Sequence, residues 1–184
     1  MTDEQLISAA KSGDSSAFKE LVKRYESRVA ATVIGMLGNC PEAEDVGQET
    51  FIRFYNGLYK FRGESSLGTY LTRIAINLSL NELKRWKKRS LLFFFKNREN
   101  GESIDIVDEN STAEFSGEKE MVQKAIQQLE PNFRSVLVLR LIDGYSTDET
   151  AKILKIPTGT VLSRLARAQK KLKELLSPYM EERQ

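Results

Sequence analysis

Apolar side chains recur every three or four residues along most of this 184-residue chain, a spacing that predicts helices. Thr2 and Gln5 have the spacing of a capping box, which places the start of a first helix there. Asp14 is suited to cap a second helix that runs to Gly38. Pro41 can open a third helix, because proline is well tolerated in a first helical turn.

A loop and a fourth predicted helix occupy residues 61–89. One face of this helix is apolar, through Leu67, Leu71, Ile74 and Leu78. A second stripe, rotated away from it, carries amides and cations: Arg73, Asn77, Asn81, Lys84 and Lys88. Amides can read base edges and cations can neutralise phosphates, although such a stripe is also typical of a solvated helix face. Four helices within about ninety residues predict a compact all-helical domain.

Residues 90–117 show no sustained hydrophobic period. An apolar run at 91–95, LLFFF, precedes a polar, acid-rich segment. We expect residues 97–117 to form a flexible acidic linker. Phe93 to Phe95 are expected to fold back onto the first domain, and the alternative is a contact with another protein.

Helical spacing resumes at residue 118, and Pro131 ends one helix and can start the next. Ser146 or Thr147 can cap a short helix, the turn follows at Lys155, and Thr158 can cap a second helix. The outer face of that second helix is polar and basic: Thr160, Ser163, Arg164, Arg167 and Lys171. A helix-turn-helix over Thr147 to Ala166 is therefore predicted. The fold class is all-α, with helical domains at 1–96 and 118–184 joined by the linker 97–117.

The net charge of +2 says little about binding partners, but the charged residues are unevenly distributed along the chain. Residues 84–98 hold seven cations and no acid, and residues 151–174 hold seven cations against Glu174. Between these blocks, residues 99–120 hold eight acids against Lys119. This pattern favours two surfaces for a polyanion, separated by a segment that avoids it or imitates it.

The chain contains no histidine and a single cysteine, Cys40. Nucleophilic pairs that use histidine and an internal disulfide are thereby excluded. We expect no catalytic residue, no cofactor and no metal, although a carboxylate-bound metal stays possible. The acidic, polar N-terminus and the lack of a long apolar run predict a cytoplasmic protein without membrane insertion.

The second helix of the helix-turn-helix has side chains suited to DNA. Thr158 and Thr160 lie near its N-terminus, where hydroxyls and the helix dipole can meet phosphate or a base edge. Arg164 and Arg167 are three residues apart, so both can face one groove, and a guanidinium can bind guanine bidentately. A solvated basic face is the alternative. The capped short helix, the tight turn and the basic second helix together favour DNA.

The chain contains, in this order, the motifs EDVGQETF, FRGESS, RIAIN and GTVLSRLARA. Through them it resembles the extracytoplasmic-function sigma factors, promoter-specificity subunits of bacterial RNA polymerase in the sigma-70 family. The resemblance covers about residues 3–90 and 118–177. It implies binding to core RNA polymerase, recognition and melting of promoter DNA, and control by an anti-sigma factor.

The resemblance also implies roles for individual residues. Core polymerase would be contacted by Glu44, Asp45, Gln48, Glu49, Phe51 and Arg53. A base flipped out of the minus-ten element would be captured by the loop Phe61, Arg62, Gly63, Glu64, Ser65 and Ser66. Asn77 and Asn81 would face the upstream edge of that element, and Thr158 to Arg167 would enter the major groove at the minus-thirty-five element. Three residues depart from the family pattern: Gly47, Tyr70 and Thr150.

Two other functions remain open from the residues. The chain could be a conventional DNA-binding regulator that uses the C-terminal unit and needs no polymerase. It could also be a nucleic-acid enzyme with a carboxylate-bound metal, which has little support because no acid cluster adjoins a basic surface. The resemblance further implies that the acidic linker could imitate RNA in the polymerase channel, and the alternative is a solvated spacer.

Overall fold

The computed structural model describes residues 1–99 and 117–181, with side chains up to Phe93 and from Gly117 to Tyr179. Every regular element in those residues is helical, which confirms the predicted all-α class. The α-helices are α1 (Asp3–Lys11), α2 (Ser15–Leu37), α3 (Pro41–Gly57), α4 (Leu67–Glu99), α5 (Glu118–Gln127), α6 (Pro131–Leu137), α7 (Thr147–Leu154) and α8 (Thr158–Glu181). A 3₁₀ turn, Leu58–Lys60, follows α3, and a π-helical turn, Val138–Ile142, extends α6.

The predicted caps of the first three helices are confirmed. The Thr2 hydroxyl accepts a hydrogen bond from the Gln5 backbone N–H, and the Gln5 side-chain oxygen accepts one from the Thr2 N–H at 2.9 Å. The Asp14 carboxylate accepts hydrogen bonds from Ser16 and from a second backbone N–H, which hold its pKa below the usual value. Pro41 is the first residue of α3. Local sequence therefore fixes where these helices begin.

α2 is the central helix of the N-terminal unit and packs against α1, α3 and α4. Leu21, Val29, Val33 and Met36 of its apolar face are buried, and so is Phe54 of α3. On α4, Leu67, Leu71 and Leu78 are buried and Ile74 packs against them, as the helical spacing predicted.

The C-terminal unit contains the predicted helix-turn-helix in α7 and α8. Ser146 caps α7 through a capping box with Glu149, and Lys155 forms the turn in a left-handed conformation with φ of 55°. α8 begins at Thr158 itself, one residue earlier than a Thr158 cap would place it. Val161 and Ala168 are buried on the inner face of α8 and hold it against the rest of the unit.

The two helical units pack against each other. Val138, Leu139, Tyr145 and Ile153 of the C-terminal unit belong to the same buried cluster as the core of α1 to α4. The C-terminal unit also has smaller clusters of its own, around Leu129 and Val136. The sequence did not predict this packing.

The end of α4 corrects one prediction. The helix continues through the LLFFF run to Glu99, so the first three residues of the predicted linker are helical. Phe93 does not fold back onto the first domain, because it is 63% exposed beside the exposed Leu91 and Leu92. The side chains of Phe94 and Phe95, and the linker residues 100–116, lie outside the described residues. None of the described helices is both long and apolar enough to cross a bilayer.

Candidate nucleic-acid interface

The loop between α3 and α4 is anchored by Phe61. Its ring is only 9% exposed and lies edge-on to Tyr70 and Phe54, with centroids 4.9 and 6.4 Å away. The Lys11 ammonium donates a hydrogen bond to the Phe61 carbonyl at 2.9 Å. Beyond this anchor the loop is open: Arg62, Gly63 and Glu64 are exposed, and Gly63 has a φ of 73° that favours glycine. The loop is thus held in place at Phe61, and residues 62–64 at its tip are accessible to solvent.

A cavity of about 330 Å³ lies beside this loop. Its lining combines aromatic rings with charged and hydroxyl groups: Lys60, Phe61, Arg62, Glu64, Ser65, Tyr70 and Arg73. The volume is at the lower end of small-molecule pockets, about 300 to 1,000 Å³. Sequence reasoning named neither Lys60 nor Tyr70 as lining residues, although Tyr70 had stood out as a departure from the family pattern. The cavity can hold a planar polar group between rings and hydrogen-bonding side chains.

Ser66 and Arg73 have different places from the rest of the predicted loop and stripe. Ser66 accepts a hydrogen bond from the Thr69 N–H at 3.2 Å and so holds the start of α4. Arg73 is half-buried beside the cavity, and its Nε has no hydrogen-bond partner. A buried guanidinium N–H without a partner can donate a hydrogen bond to an anionic or carbonyl ligand at little further desolvation cost.

The predicted stripe on α4 leads away from the cavity and faces solvent at Asn77, Asn81, Lys84 and Lys88. Sequence reasoning missed Glu82, which is buried to 9% exposure on the same helix. Its two carboxylate oxygens lie 3.2 Å from Arg85 and 3.1 Å from Arg89. An acid within a basic stretch, three and seven residues before arginines, is the signal that could have found it. Glu82 orients two cations next to the stripe.

The six residues predicted to dock on polymerase lie on two faces of α3. Three of them line a groove against α2: Glu44, Gln48 and Phe51. The other three line a cleft against α4 together with Asn81 and Arg85: Asp45, Glu49 and Arg53. Arg53 is paired with Glu49 at 2.8 Å. The structure therefore brings the second set, but not the first, next to the stripe on α4.

The outer face of α8 presents the predicted reading residues. Thr158, Ser163 and Arg167 are exposed, and Thr160 and Arg164 are half-buried. Lys171 is engaged within the protein, because its ammonium lies 3.1 Å from Glu130 and 5.5 Å from the Phe133 ring centroid. The face is accordingly most open near the N-terminus of α8.

The support beneath α8 contains one unusual residue. Thr150 of α7 is fully buried, and its hydroxyl has no hydrogen-bond partner. The preceding Glu149 is exposed, and its hydrogen bonds from Ser146 lower the pKa of its carboxyl. The unpaired Thr150 hydroxyl weakens α7, and the capping box of Ser146 with Glu149 stabilises the start of the helix.

Within residues 1–99 and 117–181, no group of three or more histidine, cysteine, aspartate or glutamate side chains is placed to hold a metal ion. What the described surfaces can do is bind: a lined cavity and an amide and cation stripe lie on α4, and a hydroxyl and guanidinium face lies on α8. Both suit nucleic acid.

Comparison with protein families matches two regions of the chain. The model described as Sigma-70 region 2 matches residues 21–89, and the model described as Sigma-70, region 4 matches residues 119–172. These two matches correspond to the two helical units.

Similar proteins of full length are known. The RNA polymerase sigma-H factor of Pseudomonas aeruginosa is 33% identical over 190 residues, which cover 98% of this chain and 96% of the relative. The ECF RNA polymerase sigma-E factor of Escherichia coli K12 is 34% identical over 188 residues, which cover 98% of this chain and 97% of the relative.

Solved structures with this fold include two complexes. RpoE with the anti-sigma factor NepR from Bartonella quintana matches with a TM-score of 0.66 and 25% identity, over 87% of this chain and 96% of that one. CnrH with the cytosolic domain of CnrY matches with a TM-score of 0.68 and 26% identity, over 96% of this chain and 97% of that one.

Proposed function

The chain belongs to the extracytoplasmic-function sigma factors of the sigma-70 family, and from this premise we propose how its surfaces divide promoter recognition between them. As a sigma factor it binds core RNA polymerase and promoter DNA in transcription initiation and is not an enzyme. We assign residues 1–96 to the region 2 domain, 97–117 to a linker and 118–184 to the region 4 domain. We expect it to act in the cytoplasm, where polymerase and promoter are found.

Core polymerase docks on α3. The groove face with Glu44, Gln48 and Phe51 offers an apolar floor with polar edges, which suits a partner helix. The cleft face with Asp45, Glu49 and Arg53 adds charge that steers a basic partner surface. Gly47 lies in the groove with open space around its Cα, so a partner backbone can approach closely there.

The minus-ten element is bound by the loop and by α4. The cavity beside Phe61 receives one base flipped out of the non-template strand, with the half-buried ring of Tyr70 in its wall for stacking and Arg62, Glu64 and Ser65 for the polar edge of the base. Arg73, Asn77 and Asn81 face the upstream bases, and Lys84 and Lys88 contact phosphates. The continuity of this cavity with the α4 stripe is the observation that carries the proposal.

The minus-thirty-five element is bound by α8 in the major groove. Thr158 and Thr160 meet the backbone at the helix N-terminus, and Ser163, Arg164 and Arg167 reach base edges. Lys171 contributes only after it leaves Glu130. The similar protein RpoE forms a complex with the anti-sigma factor NepR, and we expect an anti-sigma factor to bind this chain as well.

Run-off transcription from a cognate promoter tests this function. Core polymerase with the protein should give transcripts that core alone does not. A protein that binds promoter duplex on its own, without stimulating or co-migrating with core, would instead be a conventional regulator.

Two substitutions test the division of labour. Asn77→Ala and Arg62→Ala should each slow open-complex formation about tenfold to a hundredfold, the size expected for a lost base contact, while core binding stays unchanged. Loss of core binding with normal melting would contradict the assignment. Lys23→Ala, an exposed cation on α2 outside these surfaces, is the matched control.

A further inference from the structure

Tyr59 places an aromatic ring on the surface directly before the loop that contains Phe61. It lies in the 3₁₀ turn Leu58–Lys60 and is 75% exposed. Leu58 and Phe61, on either side of it in the chain, are only 1% and 9% exposed and anchor the turn to the core of the N-terminal domain. Single exposed tyrosines are common on protein surfaces, so exposure alone assigns no role to Tyr59. This tyrosine, however, is presented from a rigid support.

The hydroxyl of Tyr59 is bonded to the end of α1. It donates a hydrogen bond to the Lys11 carbonyl at 2.9 Å. Lys11 is the last residue of α1, and the final carbonyls of a helix have no donor within it. The ammonium of the same lysine donates to the Phe61 carbonyl at 2.9 Å. Lys11 therefore holds the edge of the Tyr59 ring and the loop together, and a ring held at its edge loses little further freedom when a planar ligand stacks on its face.

Cations follow this ring in the chain. Lys60 and Arg62 are exposed, and Glu64 is the single acid in residues 55–66. Proteins that bind single-stranded nucleic acid combine aromatic rings, on which bases stack, with cations that follow the phosphates. The bases of a duplex already stack on their neighbours and offer no free face to such a ring. The segment from Tyr59 to Arg62 therefore suits a single strand better than a duplex.

The packing of α3 on α4 shows where Tyr59 lies relative to the α4 stripe. Arg53 of α3 lines a cleft together with Asn81 of the stripe. Further along α3, a Cβ added to Gly57 would lie 3.2 Å from the hydroxyl of Tyr70, which is close to the start of α4. Moving toward the end of α3 therefore means moving back along α4, from the stripe to the cavity. Tyr59, which follows Gly57, continues this path beyond the cavity.

The order of stripe, cavity and Tyr59 matches the order of a melted promoter. In the proposed function the stripe faces the upstream edge of the minus-ten element, and the cavity holds one base flipped out of the non-template strand. The strand that leaves the cavity on the downstream side is unpaired. The Cα atoms of Tyr59 and Phe61 are at most about 7 Å apart, since one residue extends the chain by at most about 3.6 Å. This distance corresponds to about two nucleotides at the roughly 3.4 Å spacing of stacked bases.

We propose that Tyr59 stacks on one unpaired base of the non-template strand, one or two nucleotides downstream of the flipped base, and that Lys60 contacts a phosphate beside it. This contact rests on the proposed function, to which it adds a second base-binding position next to the cavity. The hydroxyl proton of Tyr59 is already bonded to Lys11, so the ring presents its face and no donor. Every base has a face for stacking, and this position therefore adds affinity for the melted strand without selecting a base.

The cavity and Tyr59 then act differently on the promoter. The charged and hydroxyl side chains of the cavity can choose a base, whereas Tyr59 retains the strand after it has separated. Because the stacking contact forms only with an unpaired base, it stabilises the open complex relative to the closed one. Loss of the ring should therefore speed the closing of open complexes and leave binding to duplex promoter DNA unchanged.

A coupling between Tyr59 and one base tests the proposal. The probe is a cognate promoter mismatched over the minus-ten element, so that the non-template strand is unpaired before core polymerase and the full-length protein bind it. An abasic nucleotide one or two positions downstream of the flipped base should weaken the wild-type complex about fivefold to twentyfold. Tyr59→Ala should cause the same loss on the intact strand and no further loss on the abasic strand, because the losses from the two partners of a direct contact are not additive.

Further variants separate the ring from its support. Tyr59→Phe keeps the ring and removes the bond to Lys11, and its affinity should stay within about twofold of wild type. Tyr59→Leu keeps apolar bulk without an aromatic face and should behave like Tyr59→Ala. The matched control is Phe93→Ala, at a residue 63% exposed and about 35 Å further along α4 than Tyr70, which should show no coupling to either downstream position. A loss in Tyr59→Phe as large as in Tyr59→Ala would overturn the proposal, because the hydroxyl and not the ring would then carry the effect.

Binding to core polymerase addresses the alternative that Tyr59 contacts protein. Tyr59→Ala should bind core and a minus-thirty-five duplex as tightly as wild type. Weaker core binding, with equal losses on the intact and abasic strands, would assign Tyr59 to a polymerase contact and overturn the proposal. Exchange of the stacked base for any other base should change the affinity by less than about threefold, and a strong preference for one base would also contradict stacking on the ring face.

Run-off transcription separates failure of this contact from failure of the proposed function. A wild-type transcript, together with additive losses for Tyr59→Ala at every downstream position, would contradict the stacking contact alone. Absence of a wild-type transcript, with no loss from an abasic nucleotide at the flipped base itself, would instead contradict the proposed function, on which the stacking contact depends.

Discussion

The two proposed recognition surfaces, the loop at Phe61 and the outer face of α8, are joined to the cores of their domains in opposite ways. The loop is joined to the core of its domain, because Phe61 is both a wall of the cavity and a buried partner of Phe54. On α8 the buried residues, Val161 and Ala168, are on a different face of the helix from the exposed residue Arg167. In the loop, the same side chain contributes to the proposed binding surface and to the core. On α8, the two roles belong to different side chains.

The chemistry of the two targets explains this difference. A flipped base must be enclosed and stacked, so its pocket has to reach into the aromatic core. A major groove is open and is read by side chains that extend from a rigid helix. Substitution of the buried loop residue Phe61 should therefore change folding and binding together, and substitutions of exposed residues on α8 should change binding alone.

The largest effect is expected from Phe61→Ala. Removing a buried aromatic ring should lower the free energy of unfolding of the N-terminal domain by about 3 to 5 kcal/mol. Urea unfolding followed by Trp86 measures it, because this single tryptophan packs against that core. Tyr59→Ala, at a residue 75% exposed, should cost much less. A stable Phe61→Ala that lost only promoter melting would break the comparison.

A smaller effect is expected from Arg164→Ala. Loss of a base contact should weaken binding to a minus-thirty-five duplex by about 1 to 3 kcal/mol and reduce discrimination at one base pair. The unfolding curve should not move. Lys173→Ala, an exposed cation further along α8, should weaken binding equally for all sequences. Binding titrations with single-base variants of the duplex distinguish the two, and equal losses on every variant for Arg164→Ala would assign it to phosphate.

The smallest effect is expected from Thr150→Val, which removes the buried hydroxyl without a partner and keeps the shape of the side chain. The C-terminal domain should gain about 1 kcal/mol. Far-UV circular dichroism during urea unfolding measures the gain, with Thr147→Val at a partly exposed position as the control. Unchanged affinity for the minus-thirty-five duplex is expected, and a change would couple stability to reading on α8 as well.

Local sequence determined the helices and much of the binding chemistry. Thr2, Asp14 and Pro41 begin helices because their caps and turns depend on neighbours within a few residues. The exposed positions of the α4 stripe and the outer face of α8 followed from helical period alone. The extent of α4 did not follow from it, because the LLFFF run has no helical period and the sequence therefore predicts no helix beyond residue 89.

Contacts between residues far apart in sequence were decided only by the tertiary structure. It buried the Phe61 ring, added Tyr70 to the cavity and divided the α3 residues between two faces. It also joined the end of α2 to Arg134, about a hundred residues away, and made Gly35 a point of close approach. Helical period fixes which face of a helix is apolar, but the partner of that face depends on how complementary surfaces fit once the helices have formed. The sequence by itself therefore determined the helices and the side-chain chemistry of each surface of this sigma factor, and packing decided how the two domains hold each other.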